Sequence, residues 1–191
     1  MWGLISVRHQ NLHMRSQQFY VITGASGAGK STLIAALNEL GFSTFPEAAL
    51  AIMREQLKCN GTILPSGDRT VFMRAVLARS IQDYKRAQAL KSAVFFDRGI
   101  PEWSRFIDSG KEPDGVATTQ YRYANKVFVA EPWPEIYVRD HERVHSFERA
   151  AKSYVPTISA YVEAGYKMCV IPKTSVQERA AFILAQVGAG A

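Results

Sequence analysis

The sequence predicts an α/β protein in which a parallel β-sheet is covered by helices on both faces. Three observations carry this expectation. Short β-branched and aromatic runs alternate along the chain with segments of helical periodicity, the pattern of strands joined by crossover helices. The runs are apolar at nearly every position rather than at every second one, as strands buried on both faces are. A glycine-rich stretch joins the first run directly to the first helical segment.

The elements follow in order. "FYVIT" (19–23) is a strand that ends at Gly24. "STLIAALNEL" (31–40) has apolar residues at helical spacing and stops at Gly41, a helix C-cap signal. "FSTF" (42–45) is a weak second strand, and "EAALAIMREQLKC" (47–59) is a helix stopped by Asn60-Gly61. Residues 68–91 read as one long amphipathic helix with Leu77, Ile81, Tyr84 and Gln88 on its face. "AVFFD" (93–97), "KVFVA" (126–130) and "KMCVI" (167–171) are the third, fourth and fifth strands, and "VQERAAFILAQV" (176–187) closes the chain as a helix. Two connections are long, residues 47–92 and 131–166; such insertions beyond strand ends carry substrate sites in α/β enzymes. No repeat or low-complexity linker interrupts the pattern.

The 191 residues suit a single domain, with 18–191 as that domain and 1–17 as an N-terminal extension. The extension holds Arg8 and Arg15 but no apolar stretch of signal-peptide type. At 47% hydrophobic and 21% charged residues the composition is that of a folded protein. A net charge of +6 suits an anionic ligand. No block of lysine and arginine stands out, so no nucleic-acid partner is expected. The apolar runs are too short to span a bilayer, so no membrane is expected either. Sparse cysteines, Cys59 and Cys169, point to a reducing cytoplasm.

"GASGAGKS" (24–31) matches G-x-x-x-x-G-K-[ST], the phosphate-binding P-loop or Walker A pattern. Its position after a strand and before a helix is the context that pattern requires. Gly24, Gly27 and Gly29 let the backbone wrap closely around phosphate oxygens. The amides of Gly24, Ala25, Ser26, Gly27, Ala28 and Gly29, with the following helix N-terminus, face the anion. Lys30 reaches the β/γ phosphates, the Ser31 hydroxyl suits a magnesium ion, and Thr32 supports a neighbouring phosphate. Asp97, an acid at the end of the apolar third strand, suits the Walker B role beside that metal. It also suits a helix cap before Ile100-Pro101. No second acid follows Asp97, as one does in ATP-driven motors, and the guanine-specifying Asn-Lys-x-Asp is absent because "NKVF" lacks its aspartate.

A competing reading comes from "RDHERVH" (139–145), which contains His-Glu-x-x-His. On a helix His141 and His145 share one face and can hold zinc, with Glu142 as general base and Glu163 as a third ligand. Ser146 followed by Arg149 instead reads as a helix start, which removes that spacing. A helix beginning earlier would turn Arg139 and Arg143 about 200° from the histidines. The zinc reading is the weaker one.

"GASGAGKSTL", "FPEAA", "FFDRGIPEW", "RDHERVHSFERA" and "VIPKTSVQERAAFIL" together resemble the predicted ATPases of the NadR-like AAA domain group. That group is similar to ribosylnicotinamide kinases and, more distantly, nucleotide kinases. The resemblance runs from Phe19 to about Leu184. It implies the P-loop kinase fold, a three-layer αβα arrangement of five parallel strands in the order 2-3-1-4-5. Residues 47–92 then form a helical insertion on the acceptor side, and 131–166 form a lid.

The resemblance also implies roles. Arg98 reaches the phosphate or the acceptor, where it otherwise reads as a surface ion pair. Glu47 helps bind or deprotonate the acceptor hydroxyl, where it otherwise complements a helix dipole. Arg139, Arg143 and Arg149 fall in the lid, with Arg143 preferred as the group that neutralises the transferred phosphoryl; otherwise they form a solvated basic face. Trp103, Trp133, Tyr121 and Tyr123 are expected to pack the insertions onto the sheet. The expected activity is ATP- and Mg2+-dependent phosphoryl transfer to a small-molecule acceptor, a nucleoside or nucleotide, with Asp97 or Glu47 orienting its hydroxyl. The alternatives are a nucleotide-dependent regulatory ATPase and a triphosphate hydrolase.

Overall fold

The computed structural model describes residues 18–108, 115–138 and 146–188. The chain order is β1 (Phe19–Gly24), α1 (Lys30–Glu39), β2 (Ser43–Phe45), α2 (Ala48–Lys58), α3 (Arg69–Ala87) and β3 (Val94–Asp97). Then come α4 (Ile100–Asp108), α5 (Gly115–Gln120), β4 (Lys126–Ala130), a 3-10 turn (Pro134–Ile136), α6 (Phe147–Lys152), α7 (Tyr154–Glu163), β5 (Lys167–Val170) and α8 (Val176–Val187).

The five strands form one parallel sheet in the order β2-β3-β1-β4-β5. Ile22 of β1 is level with Asp97 of β3 and Phe128 of β4, so the carboxyl ends of these central strands lie side by side. A ligand site belongs at that edge of an open α/β sheet.

Successive strand side chains enter opposite cores, which is why the strands read as unbroken apolar runs. Phe19, Val21 and Phe96 face Ile52, Phe72, Val76, Tyr84, Trp103 and Tyr161 from α2, α3, α4 and α7. Ile22, Phe95 and Phe128 face Leu33 and Leu37 of α1 and Ile183 of α8. Leu33, Leu37 and Ile183 are fully buried. Truncating any of them to alanine costs about 2–5 kcal/mol.

Caps set several helix starts. The Asp68 carboxylate accepts from the amides of Thr70 and Val71 at 2.8 and 3.1 Å. Ser175 and Glu178 form a reciprocal capping box on α8. Ser146 caps α6 by accepting from the Arg149 amide at 3.4 Å, so that helix starts at the position its sequence signals.

The structure corrects two expectations, both of the helix read over 68–91. The helix expected over 68–91 ends at Ala87, where the Leu90 amide bonds to the Ala87 carbonyl and turns the chain into β3. Its buried face is Phe72, Met73, Val76, Leu77, Ser80, Asp83, Tyr84 and Ala87; Ile81 is only half-buried and Gln88 is the C-cap. Helices α4, α5 and α7 occupy segments with weak or contradictory helix signals. Pro101 and Pro156 look like breakers but sit in first turns, where no intrahelical amide bond is lost. Among the described residues no helix is long and apolar enough to cross a membrane. The extension expected at 1–17 lies outside the described residues.

Candidate functional site

The site begins where β1 runs out. Gly24 has φ +125°, and a Cβ there would overlap the Ala130 carbonyl oxygen of the neighbouring strand. The next amide, of Ala25, donates to that same carbonyl at 2.9 Å and pins the loop to β4. Gly27, at φ +74°, lies under the Tyr137 ring, which a Cβ would strike. Gly29 is the N-cap of α1 and supplies no side-chain cap, so the first amides of α1 are left for a ligand. Lys30 curls back over the loop, and its Nζ donates to the Ala25 carbonyl at 2.7 Å.

A cavity of about 790 Å3 opens over this loop. Ser26, Gly27, Gly29, Lys30, Ser31 and Thr32 line its floor. Glu47, Leu50, Arg54 and Arg98 line one end, and Trp133, Ile136, Thr174, Ser175, Val176 and Arg179 the other.

Asp97 stands beside the loop because β3 neighbours β1. Its Oδ2 accepts from the Ser31 hydroxyl at 3.1 Å. Its Oδ1 is buried with no hydrogen-bond partner among the described residues, so the carboxylate caps no helix there. An orphaned carboxylate oxygen beside a hydroxyl fits magnesium, which takes few protein ligands and completes its shell with water and phosphate.

Arg98 follows in a left-handed backbone conformation, φ +68°. Its side chain is 9% exposed, which excludes a surface ion pair. Its Nε lies 3.0 Å from Glu47 Oε2, close in distance but poorly aligned for a hydrogen bond. Its Nη1 donates to Glu102. Glu47 is the N-cap residue of α2, yet its side chain caps nothing and turns to Arg98 instead.

The five charges share one buried patch, and they perturb one another. Burial, then the Arg98 cation, push the Lys30 ammonium down to about 8, against the pull of Asp97, Glu47 and Glu102. Burial pushes the Asp97 carboxyl up to about 6; Glu47 adds to this, while Lys30, Arg98 and the Ser31 hydroxyl oppose it. Burial works against the Arg98 charge, but Glu102, Glu47 and Asp97 outweigh it and hold the guanidinium more firmly protonated than usual. Two cations against three acids leave this cluster short of positive charge, a balance that a divalent ion would suit.

At the opposite end, Arg179 of α8 donates from Nη2 to the Ala28 carbonyl at 2.9 Å. Its guanidinium lies 5.6 Å from the Trp133 ring centroid. Burial lowers its pKa.

The residues expected from sequence thus gather as follows. Gly24 to Thr32, Asp97, Arg98 and Glu47 converge at the strand ends. Arg149 is exposed on α6, away from this cluster's lining. Arg139, Arg143, His141, Glu142 and His145 lie outside the described residues. Glu163, the third ligand of the zinc reading, pairs with Arg105 at 2.6 Å on an exposed surface. Among the described residues no group of three or more His, Cys, Asp or Glu side chains suits a metal ion. Trp103 and Tyr123 are buried as packing residues and Tyr121 packs edge-on to Tyr84, whereas Trp133, also expected to pack, lines the cavity. Arg179 was not legible as a site residue, since one arginine on an amphipathic helix reads as a solvated position. Thr174 to Val176, at the start of that helix, carried no signal beyond its cap.

No curated protein sequence matches the chain. Solved structures do. Deoxyadenosine kinase from M. mycoides, with dCMP and a flexible dCDP bound, aligns at a TM-score of 0.56 and 15% identity, covering 89% of this chain and 98% of that one. The YorR protein from Bacillus subtilis, in complex with phosphorylated GDP, aligns at 0.56 and 14%, covering 89% and 95%. Shikimate kinase from Acinetobacter baumannii, in complex with shikimate, aligns at 0.54 and 15%, covering 93% and 96%. At these identities the likeness is one of fold, and the shared fold is that of P-loop kinases. The sequence profile of the family described as AAA domain matches residues 19–179, and the chain belongs to that family.

Proposed function

We propose that the protein is an ATP- and magnesium-dependent phosphotransferase acting on a small molecule, a nucleoside or nucleotide. The observation that carries this reading is the Glu47–Arg98 pair, 3.0 Å apart, at the end of the same cavity whose floor is the phosphate loop. Binding and hydrolysing a triphosphate needs the loop and the metal-side acid. An acid paired with a buried arginine farther along is what an acceptor hydroxyl needs.

In this reading the loop amides and Lys30 hold the β and γ phosphates, with Lys30 leaving the Ala25 carbonyl to do so. Ser31 and Asp97 would hold magnesium, which would supply positive charge against the phosphates. Glu47, or Asp97 beside it, orients the acceptor hydroxyl and takes its proton. The acceptor oxygen forms its bond to the γ phosphorus as the bond to the ADP oxygen breaks, in line. Arg98 stabilises the charge on the moving phosphoryl group, and Arg143 is assigned the same task from the lid. The nucleobase of ATP lies at the end formed by Trp133, Thr174 to Val176 and Arg179. Small acceptors suit the cavity, and the similar proteins were solved with small molecules: dCMP and shikimate. Two free cysteines fit a cytoplasmic setting.

The test is ATP consumption across a panel of nucleosides, nucleotides and hydroxy acids, with product masses read by mass spectrometry. One acceptor that accelerates consumption and gains a phosphoryl group supports the reading. Acceptor-independent hydrolysis across the panel overturns it in favour of a triphosphate hydrolase. Tight nucleotide binding without turnover overturns it in favour of a regulatory ATPase.

A further inference from the structure

Glu102, one turn after Arg98 on α4, is 3% exposed, and groups from three parts of the fold converge on it. Arg98 donates to its Oε1. Thr23, the last residue before the first loop glycine, donates to Oε2 at 3.0 Å. Thr157 of α7 donates to Oε1 at 3.3 Å, and the Tyr161 hydroxyl lies 3.5 Å from Oε2. That hydroxyl also accepts from the Gly99 amide at 2.8 Å. The Arg98 amide in turn donates to the Ile22 carbonyl at 2.9 Å. A left-handed backbone at a non-glycine residue persists only where its surroundings over-determine it. At Arg98 they do so through the flanking amides and through the guanidinium.

The two acids on Arg98 are not equivalent. Glu47 forms part of the cavity wall, with 16% of its side chain exposed, where it meets the acceptor in the reading given above. Glu102 does not line the cavity and lies behind Arg98. When Glu47 turns to the acceptor hydroxyl and takes its proton, its hold on Arg98 weakens. The partner that stays is Glu102. In a neutral amide the single oxygen can stay toward Arg98 and Thr157, while the NH2 meets the Thr23 and Tyr161 hydroxyls, which can turn to accept from it. Only the carboxylate charge is specific to Arg98.

We propose that Glu102 is a positioning residue: it keeps the Arg98 guanidinium aimed at the transferring phosphoryl while Glu47 serves the acceptor, and it ties that arginine to the loop strand through Thr23 and to α7 through Thr157 and Tyr161. The inference rests on the phosphotransferase reading for its kinetic consequence, but not for its structural one.

The test is Glu102→Gln, compared with wild type in two measurements. In nitrogen-15 NMR of the protein with and without Mg2+ and ADP, the wild-type Arg98 guanidinium gives resolved, exchange-protected N–H signals; in Glu102→Gln they broaden or vanish while the backbone spectrum persists. With the acceptor identified by the panel, kcat falls about 100-fold, the scale of one lost charge-stabilising donor, while KM for ATP stays within about twofold. Protected Arg98 signals in the variant overturn the proposal whatever the protein phosphorylates. Lost signals with unchanged kcat overturn it as well. A panel that yields no acceptor overturns the phosphotransferase reading and leaves the NMR result to decide the Glu102 role. If Glu102→Gln does not fold, the Thr23→Val/Thr157→Val double variant removes two anchors but no charge. It should shift the Arg98 signals and lower kcat about tenfold at constant KM for ATP; unchanged signals there overturn the proposal.

Discussion

Replacing Asp97 with asparagine should make the protein more stable and less able to bind magnesium nucleotide, and the size of the first effect follows from the site. Asp97 is buried beside Ser31, and burial raises its pKa from 3.8 to about 6. The sign follows from proton linkage. The folded state holds this proton more tightly than the unfolded chain does, so the group's contribution is most favourable at low pH and is lost as pH rises from about 4 to about 6. Above that window the ionised carboxylate costs about 3 kcal/mol, at 1.36 kcal/mol per pH unit of the gap. The attraction of Lys30 and Arg98 is already counted in that figure, because both act to lower the pKa. Asparagine keeps an oxygen for the Ser31 hydroxyl and carries no charge. Thermal unfolding at pH 8 should therefore rise by roughly 6–12 °C in Asp97→Asn. Below about pH 4 the carboxyl is protonated in the folded and the unfolded chain alike, and the two curves should converge. Calorimetry should show that magnesium no longer strengthens ATP binding to the variant. A variant less stable than wild type at pH 8, or one in which magnesium strengthens ATP binding as before, would refute the assignment of the orphaned Oδ1 to the metal.

Three further outcomes are expected. Lys30→Ala should lower phosphoryl transfer by at least about a thousandfold with an unchanged circular dichroism spectrum; undiminished turnover sinks the mechanism. In the free enzyme kcat/KM for ATP should rise through about pH 6 as Asp97 ionises and fall above about pH 8 as Lys30 loses its proton. The alkaline limb of kcat should lie higher, since bound triphosphate stabilises the Lys30 cation; identical limbs for both parameters would contradict this. Gly24→Ala should cost several kcal/mol in urea unfolding, because the new methyl meets the Ala130 carbonyl at a backbone angle alanine avoids.

The phosphate loop was legible because local context decides it: a strand, the glycine pattern and a helix are all contiguous in sequence. Asp97 was legible for the same reason, as the polar end of an apolar run. The strand order was not a matter of local pattern and entered only through resemblance. Pattern reading failed where two signals compete. Gln88 to Lys91 are good helix formers, yet the chain must reverse there to enter β3. Asp97 to Pro101 contains glycine and proline and reads as a turn, yet both residues serve the start of α4. The roles of Arg179 and Glu102 escaped for a different reason. Each is one charge on an amphipathic helix, and only the tertiary arrangement buries it. Arg179 meets the loop because α8 packs beside α1, and Glu102 meets Thr23 because β3 lies next to β1.

The two cores on either face of the sheet divide the molecule into halves of unequal constraint. Helices α1 and α8 share one core with Ile22, Phe95 and Phe128, and they carry the floor and the Arg179 end of the cavity. Helices α2, α3, α4 and α7 share the other core, and α2 brings Glu47, Leu50 and Arg54 to the opposite end. Strand side chains alternate between the cores, so each face can be rewritten through one set of positions while the other set stays fixed. A lineage built on this plan can reshape the Glu47 end of the cavity by drifting on one side of the sheet without renegotiating the phosphate loop on the other. In a protein engineered as a chimera, the cut would therefore run along the plane of the sheet rather than across the chain.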